Sequence, residues 1–295
     1  MDPKSSRARE AAVEPQIRVS AIVVTRMTGQ PLELCLRSAL AEPWIDELII
    51  VDNGNPAPVS AALRALKMDR RDVVLIQGQG DVGFAAGANL GALRARGRWL
   101  LFIDAGVVLQ RGAAERMVAA GGGAPSPWIV GARLTDTRGH DRASVRKGAL
   151  NVWSALAVAL GVGAKAPRRP RKDRELGEPE GVAAVSGALM LVPRDDLETL
   201  GFFDEGFHTD GADLDLCRRA AERGGRVLHQ PAASGVQFAL NNRLARREQE
   251  GLTHYIRRSA HSPGERAFAA VAGPAIGAVI ASRKMLTAVF GEAPR

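Results

Sequence analysis

The stretch Arg18–Asn53, RVSAIVVTRMTGQPLELCLRSALAEPWIDELIIVDN, decides the fold. It opens on RVSAIVVT (Arg18–Thr25), a β-branched apolar run of strand length. Pro31 then starts the amphipathic PLELCLRSAL, where a proline suits the first helical turn. DELIIVDN (Asp46–Asn53) is the second apolar strand. Strand, helix and strand with short joints mean a parallel sheet covered by helices on both faces.

The alternation continues downstream. A helix runs through SAALRALKM, and DVVLIQ (Asp72–Gln77) is the third strand. FAAGANLGALRARG is a helix ending at Gly97, and RWLLFIDAG (Arg98–Gly106) is the fourth strand. In such sheets ligands gather at the carboxyl ends of the strands, which here carry Thr25, Asp52-Asn53 and Asp104. Later come a short strand at Trp128–Leu134, a strand at Ala184–Pro193, the helical ADLDLCRRAAERGG with its glycine stop, and GRVLHQP, ended as a strand by Pro231. Residues 1–16 form a polar tail without the apolar region of a secretory signal. Residues 17–237 form the main domain, interrupted at 141–180 by a basic and apolar insertion. Residues 238–295 form a helical basic and apolar extension.

Composition narrows the function. Of 295 residues 46% are hydrophobic and 24% charged, so the chain can build a core and is not wholly disordered. Lys and Arg number 40 against 32 acids, and the net charge of +8 points to an anionic partner. Aromatics at 4% argue against a stacking platform for single-stranded nucleic acid, and no DNA-binding motif is present. Nucleic acid is therefore not an expected partner. Cys35 and Cys217 lie far apart on helical segments and read as buried reduced thiols. The five histidines show no metal spacing.

Gly78-Gln79-Gly80-Asp81-Val82-Gly83 fits the dinucleotide pattern G-x-G-x-x-G, with Asp104 about twenty residues on. That fingerprint belongs in the first strand–helix turn, and here it follows the third strand. A chain with 32 glycines also meets the pattern by chance. NAD is not expected.

More of the chain supports another reading. VSAIVVT, ELIIVDNG, DVGFAAGANLGALRARGRWLLFIDAG, VSGALMLVPRDDLETLGFFDEGF and DGADLDLCRRAAERG, in this order, resemble the family 2 glycosyltransferases. The likeness is nearest to bacterial rhamnosyltransferase-like members and runs from about Arg18 to Pro231. It implies an α/β GT-A fold, a Rossmann-like mainly parallel sheet with helices on both faces, followed here by C-terminal helices. It implies inverting sugar transfer from a nucleotide-sugar donor to a glycan or lipid-linked acceptor.

The resemblance gives residues their expected roles. Asp52, with Asn53 beside it, binds nucleobase or ribose, since a carboxylate accepts from N–H and O–H groups; Asp-Asn-Gly-Asn is also strong turn chemistry. Thr25 ends the first strand next to them. Gly83 and Asn89 lie in the glycine- and asparagine-containing segment near the donor, where small residues admit a ligand or pack helix on sheet. Asp213 is the expected base; an acid in the first turn of a helix also has a purely structural reading. Asp215 is its reserve. The position before Asp213, usually Glu, is Ala212. Gly201-Phe202-Phe203-Asp204 positions the loop.

The departures are specific. Relatives hold a divalent cation, Mg²⁺ or Mn²⁺, with Asp-x-Asp after the fourth strand. Here the motif reads Asp104-Ala105-Gly106, so Asp104 gives a metal only a weak hold. A histidine ligand of relatives corresponds to Gln237. Arg26 follows the first strand and is a candidate to meet phosphate charge. Arg168-Arg169-Pro170-Arg171-Lys172, and Arg243, Arg246, Arg247, Arg257 and Arg258, edge apolar stretches. They point to a peripheral membrane contact, expected on the cytoplasmic side at the inner face of the cell membrane. The missing carboxylate leaves a second reading open, a family-like protein that binds nucleotide, glycan or a partner enzyme without transfer.

Overall fold

The computed structural model describes residues 18–26, 29–142, 145–146, 177–208, 211–238, 254–260, 262–267 and 270. The N-terminal tail, most of the insertion at 141–180 and most of the C-terminal extension lie outside them.

The first elements follow the sequence reading. They are β1 (Val19–Thr25), α1 (Gln30–Leu40), β2 (Ile45–Asp52), α2 (Ala57–Asp69), β3 (Val73–Ile76), α3 (Gly83–Arg94) and β4 (Trp99–Ile103). Next come β5 (Val107–Leu109), α4 (Ala113–Gly121), β6 (Trp128–Thr135), β7 (Val145–Arg146), β8 (Glu180–Gly181), β9 (Ala184–Val185) and β10 (Leu189–Pro193). The last named elements are α5 (Arg194–Leu200), α6 (Ala212–Glu222) and β11 (Arg226–Gln237). Residues 254–259 are again helical.

The main sheet has nine strands in the order β3-β2-β1-β4-β10-β6-β11-β5, with β8 on β11. β1 to β4, β6 and β11 share one direction, and β10, β5 and β8 oppose it. The fold is therefore α/β around a mixed, mainly parallel sheet. The sheet buries both faces. Ile22, Ile49 and Val51 join α3, α6, Tyr255 and Ile256 on one side. Val19, Ala21, Val23, Leu48 and Ile50 join α1, α2 and α4 on the other. Helix α3 presses close on β1, where a Cβ at Gly91 would lie 2.5 Å from Ile22 Cγ2.

Four differences from the sequence reading have physical causes. The fourth strand stops at Ile103, because Asp104 turns the chain by accepting the Gly106 N–H (2.8 Å) and the Val107 N–H on its carbonyl (2.9 Å). The strand expected over Ala184–Pro193 is two strands separated by Ser186-Gly187-Ala188. β11 does not end at Pro231: a register shift between Gln230 and Ser234 absorbs the missing donor, and pairing resumes to Gln237. Finally, the core does not end at 237, since Tyr255 and Ile256 are fully buried in it. Cys35 and Cys217 are buried free thiols on α1 and α6, as expected.

Candidate active site

Parallel β1 and β2 bring Thr25 and Asp52 opposite each other at the carboxyl edge. The turn after β2 folds back on both. Asn53 N–H (2.8 Å) and Asn55 Nδ2 (2.8 Å) donate to the Thr25 carbonyl. The Asp52 carboxylate accepts from Asn55 N–H (2.9 Å), Asn55 Nδ2 (2.8 Å), Gln77 Nε2 (2.8 Å) and Ser60 Oγ. Burial pushes this carboxyl up, but the hydrogen bonds from Ser60, Asn55 and Gln77 outweigh burial and hold it below its ordinary value. The turn reading of Asp-Asn-Gly-Asn is thus realised, and any nucleoside contact of Asp52 has to share oxygens already in use.

Asn53 carries the order into the next loop. Its Nδ2 donates to Asp81 Oδ1 (3.1 Å) and the Gly83 carbonyl (3.3 Å), and its Oδ1 accepts the Val82 N–H (3.1 Å). Gly83 opens α3 at φ +83°, a left-handed conformation that favours glycine, and its Cβ would lie 2.3 Å from the His208 carbonyl oxygen. That carbonyl accepts the Phe84 N–H (2.8 Å). The close approach at Gly83 is therefore to the segment before α6. Asn89 also serves that segment. Its Nδ2 donates to the Phe203 carbonyl (2.9 Å) and Glu205 Oε1 (3.0 Å), and its Oδ1 accepts the Phe203 N–H (3.0 Å). Phe203 then packs edge-on against Phe84 and Phe102, with ring centroids 5.6 and 5.0 Å apart.

The β4 side is sparser. Asp104 N–H donates to the Ala188 carbonyl (2.9 Å), while Asp213 Oδ2 accepts the Gly187 N–H (2.8 Å). The short loop 186–188 therefore binds the main chain of Asp104 and the carboxylate of Asp213 at the same edge. Burial pushes the Asp104 carboxyl above its ordinary value, opposed by the hydrogen bond from Gly106. Asp215, the reserve base, is corrected. It is fully buried and held by Arg218 Nη2 (2.7 Å) and Arg219 Nε (2.7 Å). Arg219 goes on to the Leu200 and Phe202 carbonyls, so Asp215 braces the turn before α6. The spacing Asp215-x-x-Arg218-Arg219 on one helix face was its sequence signal.

The metal question turns on donors. Gly106 supplies no side chain, its carbonyl accepts the Phe238 N–H (2.9 Å), and Gln237 pairs with Val107 beside it. One Asp104 oxygen already takes the Gly106 N–H. Among the described residues no group of three or more His, Cys, Asp or Glu is placed to hold a metal. One carboxylate with a neighbouring amide does not fit a divalent cation held by the protein alone.

Two residues outside the sequence reading join the site. Asp81 receives Arg26 Nη1 and Asn53, and His208 Nε2 lies 3.9 Å from its Oδ2. Their separation in sequence left no local signal. At the other end of the same loop, Asp204 is flanked by Arg258 Nε (3.1 Å) and His254 Nε2 (3.5 Å). The basic clusters at 168–172 and 243–247 fall outside the described residues. Among those described, no helix is long and apolar enough to cross a membrane.

Comparison with known proteins agrees with this architecture. Residues 20–201 match the family described as Glycosyl transferase family 2. The pre-mycofactocin glycosyltransferases of two Mycobacterium tuberculosis strains (CDC 1551 / Oshkosh and H37Rv) are 26% identical over 187 residues. That match takes in 63% of this chain and 36% of theirs, so the chain spans about a third of the length of these curated relatives. Neither is named as a rhamnosyltransferase, and the expectation of that branch gives way to the family as a whole. Among solved structures, GalNAc-T7 with UDP, GalNAc and Mn²⁺ is similar with a TM-score of 0.65 at 17% identity, over 81% of this chain and 48% of that one. The mannosyltransferase PcManGT from Pyrobaculum calidifontis, in complex with GDP-Man and Mn²⁺, gives 0.58 at 18% identity, over 95% and 78%. These likenesses establish the shared fold.

Proposed function

The chain belongs to glycosyltransferase family 2, and from that premise we propose that it moves a sugar, with inversion, from a nucleotide-diphosphate donor to a glycan or lipid-linked acceptor of cell-surface polysaccharide. The observation that carries this reading is that loop 186–188, at the carboxyl edge of the parallel strands, binds both the Asp104 main chain and the Asp213 carboxylate. Thr25, Asp52 and Asn53 form the nucleoside side of the donor site. Gly83 and Asn89 brace it by fixing the segment that leads to α6. The acceptor hydroxyl oxygen attacks the anomeric carbon while the bond from that carbon to the diphosphate oxygen breaks. The hydroxyl proton passes to the Asp213 carboxylate, and the nucleoside diphosphate leaves. Asp104 orients the donor from the β4 end. The Mn²⁺ of the structural relatives is not carried over as a resident ion.

A non-catalytic binding role is the second reading, favoured by the glycine at position 106. Peripheral contact with an anionic membrane surface at the inner face suits the basic and apolar stretches and brings the enzyme to a lipid-linked acceptor.

The test is transfer measured across nucleotide-sugar donors, with and without EDTA, in the natural chain and in Asp213→Asn. The reading expects turnover that EDTA changes little and that Asp213→Asn lowers by about 10²–10⁴-fold, with nucleoside diphosphate binding kept. Binding without turnover under every donor and acceptor pair selects the non-catalytic reading. Undiminished turnover in Asp213→Asn removes Asp213 as the base.

A further inference from the structure

Arg26, Asp81 and His208 come from three separate parts of the chain and meet at the carboxyl edge. Arg26 is the first residue after β1, Asp81 lies in the turn before α3, and His208 precedes α6. Arg26 Nη1 donates to Asp81 Oδ2, and His208 Nε2 stands 3.9 Å from the same oxygen. The other carboxylate oxygen accepts from Asn53 Nδ2 (3.1 Å) and the Gly83 N–H (3.3 Å). His208 is tied to α3 through its main chain. Its carbonyl accepts the Phe84 N–H, and its Nδ1 lies 2.7 Å from where a Cβ on Gly83 would stand.

A guanidinium and an imidazole that converge on one carboxylate oxygen are also arranged to take a phosphate oxygen. Both groups face solvent, with Arg26 48% and His208 55% exposed and Asp81 31%. An ion pair so exposed contributes little to stability, so an arriving anion exchanges with it at small cost. The site also calls for donors and positive charge. Gly106 stands where a second carboxylate would help hold a metal, so the leaving diphosphate of the donor reading needs positive charge from the chain itself.

We propose that Arg26 and His208 form a clamp for the diphosphate of the donor, and that Asp81 is the counter-ion that orders the clamp and yields Arg26 when the diphosphate binds. The proposal rests on the nucleotide-donor reading above.

The test is calorimetric titration of the full chain with UDP, GDP, the matched nucleosides and inorganic pyrophosphate, with thermal melts as a check on folding. Arg26→Gln is expected to weaken diphosphate and pyrophosphate binding about tenfold and leave nucleoside binding unchanged. Arg26→Lys restores part of it, because a point charge lacks the planar fork. His208→Gln weakens the same ligands by a smaller factor. Asp81→Asn tightens them, since the competing carboxylate is gone. A chain that binds nucleoside diphosphates equally well in Arg26→Gln overturns the clamp and leaves the donor reading standing. Equal loss of nucleoside affinity in Arg26→Gln also overturns it and moves Arg26 to the base or ribose. If the natural chain binds none of these ligands, clamp and donor reading fall together.

Discussion

The two sides of the carboxyl edge are built on opposite plans. On the β1–β2 side, Asp52 is bound by Asn55, Ser60 and Gln77, and Asn53 ties the turn before α3 to the strand ends. On the β4–β10 side, the Asp104 carboxylate accepts the Gly106 N–H, and loop 186–188 is the common support of Asp104 and Asp213. In both Asp52 and Asp104 burial works against the charge. Hydrogen bonds reverse it at Asp52 and fail to reverse it at Asp104. The dense side is a preformed frame in which neighbouring polar groups hold Asp52 and Asn53. The sparse side keeps a carboxylate in a state that arriving positive charge or an N–H or O–H donor would stabilise. That division suits a site that fixes one part of a ligand and reacts at another.

The comparison breaks most visibly if Asp104 behaves like Asp52. Asp104→Asn is expected to lower transfer about 100-fold without lowering the melting temperature, because it removes a charge that burial disfavours. A melting temperature that drops sharply would make Asp104 part of the frame. Asp52→Ala tests the other side. It strands Asn55, Ser60 and Gln77 without their shared acceptor and is expected to cost about 3 kcal/mol of stability, read from denaturant midpoints. Little loss of stability together with lost nucleotide binding would instead mark Asp52 as a ligand group with incidental neighbours.

The dense frame was half legible in the sequence. Apolar β-branched runs predict β1 to β4 because strands buried on both faces have little freedom in composition. The turn chemistry of Asp52-Asn53-Gly54-Asn55 is equally local. What could not be read are partnerships across the chain. Asn89 meets Phe203, and Asp81 meets Arg26 and His208, at separations that only the folded sheet closes. The sparse side was misread at its ends for a different reason. The apolar run over Ala184–Pro193 hides a break at 186–188, which divides it into two strands of different sheets, and the shift after Gln230 lets β11 pass a proline that ordinarily stops a strand. The absent second carboxylate at Gly106 was visible at once, but its consequence depended on the neighbours that close around it.

The smallest expected effect is the finest test, because it has opposite signs on the two sides. The Asp52 carboxyl lies below its ordinary value of 3.8 in the folded chain. Its ionised form therefore favours folding at neutral pH, and that contribution is lost as pH falls from 3.8 through the lower folded value. The Asp104 carboxyl lies above 3.8, so its ionised form opposes folding at neutral pH. That opposition is relieved as pH falls through the raised value towards 3.8, earlier in the acid titration than Asp52 responds. Denaturant unfolding followed by tryptophan fluorescence at a series of pH values separates the two. Relative to the natural chain, Asp52→Asn should be less stable at neutral pH, with the gap closing only in strong acid. Asp104→Asn should be more stable at neutral pH, with the gap closing at milder acidity. Two gaps of the same sign would mean that both carboxylates belong to one frame, and the division of the edge into a fixed side and a reactive side would have to be abandoned.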